Sequence, residues 1–113
     1  MRKIEQQMIA AIRDSRDWKC DNTEVINKED CTEVFLHGNH IATIDDTSVT
    51  LFDGGFQSKT TKSRLNAICD AFCIRGEGIF QRNWKWFVHQ FVGQAGSSPV
   101  FVEKEFSNGF VFA

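Results

Sequence analysis

Ile4, Met8, Ile9, Ala11 and Ile12 fall on one helical stripe, while Arg2, Glu5, Gln6, Arg13 and Asp14 fall mostly on the other side. This spacing predicts an amphipathic first helix from residue 3 to about 16. The stretch from Ser15 to Asn27 is polar and turn-rich except for Trp18, which is expected to fold back as an anchor, and Asn22 to Ile26 is a candidate strand start. Thr32 to His37 (TEVFLH) is β-branched and aromatic. His37-Gly38-Asn39-His40 supplies turn chemistry, and Ile41 to Ile44 resumes the apolar content. After a second turn at Asp45-Asp46-Thr47, Ser48 to Asp53 reads as a third strand with Val49 and Leu51 on one face, ended by Gly54-Gly55. An antiparallel meander is the expected result.

A second helix is expected to start after Ser58, Thr60 or Thr61, any of which can accept a hydrogen bond from the free amides of a first turn. Leu65, Ile68, Cys69 and Phe72 then repeat at helical spacing until Arg75-Gly76. Ile79 to Arg82 and Trp84 to Phe91 read as strands around a turn at Arg82-Asn83, and Gly93 to Pro99 looks like a linker. Val100 to Ala113 reads as two short strands around Ser107-Asn108-Gly109, because Asn-Gly accommodates the positive φ angles of a two-residue hairpin.

These elements predict an α+β protein in which an antiparallel sheet packs on two helices. Their order is α-β-β-β-α-β-β with a C-terminal hairpin. The chain is read as a single domain over 1–113, with the main α+β core at 3–92 and the hairpin at 100–113. The expected core is Ile4, Met8, Ile12, Leu36, Ile44, Leu51, Leu65, Ile68, Phe72 and Trp86.

Composition supports an ordered globular chain: 113 residues, 42% apolar, with eleven Phe and three Trp. A formal charge of -2 and a pI near 5.9 provide no global basic field, so counterion release cannot dominate any nucleic-acid binding. The first residues, MRKIEQQMIAAIRDSR, carry charges every few positions, unlike a signal peptide, and no apolar run approaches the length of a membrane span. A soluble, cytoplasmic protein without a membrane partner is therefore expected. Its four cysteines, Cys20, Cys31, Cys69 and Cys73, are expected to stay reduced, with no zinc and no obligatory disulfide.

Candidate chemistry is sparse. Lys59, Lys62 and Arg64 cluster at the start of the second helix, where free amides already favour an anion, with Arg75 further on. Solvated surface charge is the more common meaning of such a cluster. Trp84, Trp86, Phe87 and Phe91 alternate with Arg82, Lys85 and His89 and could stack unpaired bases. A strand with Trp86 and Val88 facing the core is the simpler account, which leaves Trp84 exposed at the turn. Cys69 and Cys73 could join His37, His40 or Cys31 at a zinc ion, yet no C-x-x-C knuckle is present. Pairing of Cys69 or Cys31 with His89 as a nucleophile lacks any orienting or oxyanion motif. No enzyme activity and no cofactor are expected.

Over residues 3 to 73, the α-β-β-β-α order with SKTTKSRLNA at the second helix resembles the double-stranded-RNA-binding domain, in which Lys59 and Lys62 would meet phosphates. KIEQQMIAAI, VFLHGNHIATI, the Gly-Gly-Phe turn, TTKSRLNAI and IFQRNWKWFV together are similar to small uncharacterised accessory proteins of tailed bacteriophages. That resemblance implies an infected bacterial cell as the setting and a non-enzymatic protein that binds and inhibits a host or defence complex, for example a CRISPR effector. The alternative is a small nucleic-acid-binding domain using the basic start of helix two. Lys59, Lys62, Arg64, Arg82 and Trp84 are the expected partner-binding residues, with the acidic stretch Glu29, Asp30 and Glu33 next. The residues do not set an oligomeric state.

Overall fold

The computed structural model describes residues 1–113. Helix α1 (Lys3–Arg13) is followed by β1 (Trp18–Cys20), β2 (Thr23–Asn27), β3 (Thr32–Leu36), β4 (Asn39–Ile44) and β5 (Val49–Leu51). Helix α2 (Lys59–Phe72) then leads to β6 (Gly78–Arg82), β7 (Lys85–Ala95), β8 (Ser98–Glu105) and β9 (Phe110–Phe112). The class is α+β with two helices, as the periodicities predict.

Two antiparallel sheets form, a six-stranded one in the order β1-β2-β3-β4-β5-β9 and a three-stranded one in the order β6-β7-β8. Alternation places Val25, Val34, Leu36, Ala42, Ile44, Val49, Leu51 and Phe112 in the core. Against them pack Met8, Ile9, Ala11 and Ile12 from α1 and Leu65, Ala67, Ile68 and Cys69 from α2. The small sheet contributes Ile79, Trp86 and Val88 to the same cluster.

Several sequence expectations are corrected. The first helix stops at Arg13 rather than near 16, since the Asp14 amide closes on the Ala10 carbonyl and Ser15 turns to φ +50°. Trp18 does pack against the core as an anchor, but from an unforeseen strand whose Trp18–Val25 pairing widens the large sheet. The linker-like residues 93–99 are the paired end of the longest hairpin, with only Gly96 and Ser97 in its turn. There β7 runs to Ala95 and β8 begins at Ser98, with a bulge between Phe91 and Gly93. Backbone pairing requires no apolar alternation, so small polar residues conceal it.

The C-terminal hairpin at 100–113 does not form. Strand β8 pairs with β7, whereas β9 crosses to the large sheet, with Val49 opposite Phe112 and Leu51 opposite Phe110. Asn108 latches this crossover: its Oδ1 accepts the Asp53 amide at 2.8 Å, and the Gly109 amide donates to the Leu51 carbonyl at 2.9 Å. Of the expected core, Ile4 and Phe72 are only half-buried, the former in the opening turn of α1 and the latter in the last turn of α2, where Arg13 covers its ring at 5.6 Å. The other eight are buried.

Leu65 is fully buried between the helices and the sheet, so Leu65→Ala should lower unfolding stability by roughly 2–5 kcal/mol. Denaturant titration reads this directly. A loss below about half a kcal/mol is the range of surface substitutions and would contradict the helix register.

Candidate functional site

Ser58 caps α2, its Oγ accepting the Thr61 amide at 3.1 Å, so Lys59 stands exposed at the first helical position. One turn on, Lys62 Nζ donates to Gln81 Oε1 at 3.3 Å and ties the helix start to β6. Gln81 precedes Arg82. The basic start of α2 and the tip of the β6–β7 hairpin therefore lie at the same end of the small sheet, a juxtaposition that the sequence left open.

Arg64 does not belong to this surface, and its assignment as a partner-binding residue is corrected. It is 3% exposed, with Nη1 donating to Glu5 Oε2 at 2.8 Å, Nε to Thr23 Oγ1 at 3.0 Å and Nη2 to Asn22 Oδ1 at 3.3 Å. Successive helical residues rotate by about 100°, which turns Arg64 roughly 200° from Lys62 and toward α1. Glu5, also 3% exposed, accepts the Ser63 hydroxyl at 2.6 Å as well. Burial alone would raise the Glu5 pKa. The hydrogen bonds from Ser63, Arg64 and the Arg2 amide, with the guanidinium charge, outweigh burial and hold the carboxyl below its ordinary 4.5.

Arg82 pairs with Lys85 across a two-residue turn in which Asn83 (φ +51°) and Trp84 (φ +66°) are both left-handed. Asparagine tolerates that conformation; tryptophan does so at a cost on the order of 1 kcal/mol. Trp84 is 91% exposed, the most outward large apolar side chain of the chain. Its placement at the hairpin tip agrees with the sequence reading.

Behind the tip, strand alternation sends Trp86 and Val88 inward and Phe87, His89 and Phe91 outward. Cross-strand register adds Phe80 and Arg82 from β6 and Phe101, Glu103 and Glu105 from β8 to this outer face. The rings form a continuous stripe. Phe80 stacks on Phe87 at 5.6 Å between centroids, Phe80 meets His89 edge-on at 6.5 Å, His89 stacks on Phe101 at 4.6 Å, and Phe101 meets Phe91 at 5.7 Å. Arg82 lies 4.8 Å from the Phe87 centroid and is held by Glu103 at 3.0 Å. The proposed base-stacking set thus divides, with Trp86 in the core and Phe87 and Phe91 on the outer face.

At the far end, the loop after α2 folds against the stripe. The Glu77 carboxylate accepts the Ile74 amide at 3.1 Å and the Phe91 amide at 3.0 Å, and His89 Nδ1 lies 3.0 Å from the Gly76 carbonyl. A Cβ at Gly76 would sit 2.7 Å from the Phe101 ring, so this close approach requires glycine. An open groove of about 440 Å³ borders the loop, lined by Asn66, Asp70, Glu77, Phe80, His89 and Glu103 among others. Sequence reasoning missed this groove and the roles of Phe80 and Phe101, whose strands it placed without register.

Elsewhere the chemistry separates. Cys69 is buried, and the hydrogen bond with Cys73, burial and nearby acidic groups push its thiol well up, away from the nucleophilic thiolate. His37 and His40 lie at the β3–β4 hairpin, remote in sequence and element from Cys69 and Cys73. No three His, Cys, Asp or Glu side chains gather as a metal cluster. No helix is long and apolar enough to cross a membrane.

No curated protein and no solved structure matches this chain. The family model described as Kyanoviridae Gp96 protein matches residues 1–113. That match covers the N-terminal, HGNHIA and TTKSRLNA segments and also β8 and β9, which lie beyond IFQRNWKWFV, the last segment that carries the resemblance. The chain therefore belongs to the Kyanoviridae Gp96 protein family, a family of bacteriophage proteins.

Proposed function

We propose that the protein is a non-enzymatic phage interaction protein that binds and inhibits a host or defence complex. Its docking surface comprises Trp84 and Arg82 at the hairpin tip, the aromatic stripe behind them, and Lys59 and Lys62 beside them. The observation that carries this reading is Trp84, an indole held almost fully in solvent on a left-handed backbone. An exposed indole that loses little rotamer freedom on docking is a common interface anchor. A complex that handles nucleic acid in the host cell, such as a CRISPR effector, is the specific form that phage origin suggests.

A protein partner is favoured over nucleic acid by the charges around the stripe. Glu103 and Glu105 share the face with Phe87 and Phe101, and Arg82 is already engaged by Glu103. Phosphates would meet these carboxylates. The alternative, nucleic-acid binding by the basic helix start, retains Lys59 and Lys62 but loses Arg64 to the interior.

Trp84→Gly distinguishes function from folding, because Asn-Gly is a preferred pair for a turn with two left-handed residues. Thermal stability should stay level or rise by up to about 1 kcal/mol, while partner affinity should fall by about 2 kcal/mol or more. Capture from host lysate, with and without nuclease, supplies the partner and the comparison. Undiminished, nuclease-resistant capture by Trp84→Gly would remove Trp84 from the interface. Tight duplex RNA binding that disappears in Lys59→Ala with Lys62→Ala would support the nucleic-acid reading instead.

A further inference from the structure

We propose that the outer edge of β8 pairs antiparallel with β8 of a second copy of this chain. Two three-stranded sheets would thereby join into one six-stranded sheet across a two-fold axis at Phe101. This assembly goes beyond the docking surface and does not depend on what that surface binds.

The argument begins with the sheet edges. The outer edge of β6 is closed from within the chain: Asn66 on α2 donates through Nδ2 to the Ile79 carbonyl at 2.9 Å, and its Oδ1 accepts the Ile79 amide at 2.8 Å. The large sheet ends in β1 and β9, each only three residues long. Strand β8 differs. It is eight residues long, pairs only with β7 and ends its sheet. A long uncovered edge is a template for another strand.

The direction of the backbone groups follows from one bond beyond the strand. The Phe106 amide donates to the Trp86 carbonyl at 3.0 Å, so it points toward β7. Alternation then directs Lys104, Val102 and Val100 inward, and Glu105, Glu103, Phe101 and Pro99 outward. Pro99 therefore lacks its N–H on the open side, where a ladder to β7 is not interrupted.

Sequence at the two ends of β8 selects the middle as the pairing centre. An axis at Lys104 would place lysine opposite lysine and Glu103 opposite Glu105, and an axis at Pro99 would place two residues without donors together. With Phe101 on the axis, each Phe101 amide donates to the carbonyl of its counterpart, and each Glu103 amide donates to the opposite Pro99 carbonyl. Val100 then faces Val102 of the second copy, and Lys104 faces Ser98. No like charges oppose one another. A two-fold axis perpendicular to the sheet keeps equivalent faces on the same side, so both aromatic stripes and both Trp84 tips would be presented together.

Sedimentation over a concentration series tests the proposal with Glu103→Pro and Glu103→Ala. Proline removes the outward N–H, whereas alanine removes only the carboxylate that holds Arg82. The expected result is a concentration-dependent dimer for the unmodified chain and for Glu103→Ala, with the mass halved in Glu103→Pro. Amide exchange in the unmodified protein provides the second measurement, independent of whether the proline variant folds. Exchange at Phe101 and Glu103 should slow as concentration rises, while the inward amides of Val102 and Lys104 should change little. A monomer at every soluble concentration overturns the proposal, as does exchange at Phe101 and Glu103 that is independent of concentration. A dimer that persists in folded Glu103→Pro overturns it too.

Discussion

Arg64→Ala should destabilise the protein by about 3–5 kcal/mol, the loss expected when one partner of a buried ion pair is removed. The guanidinium makes three hydrogen bonds that join α2 to Glu5 on α1 and to Thr23 and Asn22 at the start of β2. Alanine would leave the Glu5 carboxylate buried with the Ser63 hydroxyl and the Arg2 amide as its remaining donors. Replacing both partners with apolar residues, as in Glu5→Met with Arg64→Leu, should cost less than Arg64→Ala alone, since no isolated charge remains. Urea titration of the three chains measures the order. If Arg64→Ala were the mildest of them, the ion pair would not be holding the helices together.

The same pair sets a pH dependence. The folded Glu5 pKa is depressed, so its contribution is present above its unfolded value near 4.5 and is lost as pH falls through the lower folded value. In Arg64→Ala the cation and its hydrogen bond disappear while desolvation remains. Glu5 should then titrate higher, toward or above its unfolded value, so the share of the acid-side stability loss that Glu5 contributes should shrink or reverse relative to the unmodified chain.

Trp86→Ala should cost a comparable 3–5 kcal/mol, whereas Trp84→Ala should leave unfolding stability nearly unchanged. Only Lys85 separates these indoles, yet one is 2% exposed and the other projects from the turn. Trp86 meets the Phe106 ring edge-on at 5.5 Å, and its carbonyl accepts the Phe106 amide at 3.0 Å. It seats the small sheet on the core shared by Ile79 and Val88. Its removal should therefore loosen β6, β7 and β8 together, read as a lower denaturation midpoint and faster amide exchange in those strands. A loss under about 1 kcal/mol would mean that the small sheet is anchored elsewhere.

The sequence by itself determined both helices, the strands of the meander, the inward face of β7 and the exposed position of Trp84. Each rests on local information: periodicity, capping residues and turn residues with fixed backbone preferences. The Glu5–Arg64 pair was also legible in part. Glu5 precedes Met8, Ile9 and Ile12 by three, four and seven residues, and Arg64 precedes Ala67 and Ile68 by three and four, so opposite charges stand on two apolar stripes. Reading Arg64 with its basic neighbours, and Glu5 with the polar side of the first helix, concealed that register; Glu5 is in fact 3% exposed. Tertiary structure alone decided that these stripes face each other, that β8 and β9 part to different sheets, and that Phe80, Phe87, His89 and Phe101 form one outer stripe. Strand partnership depends on contacts far apart in the chain, such as Asn108 with Asp53, and Asn-Gly specifies a turn without specifying which strands it joins.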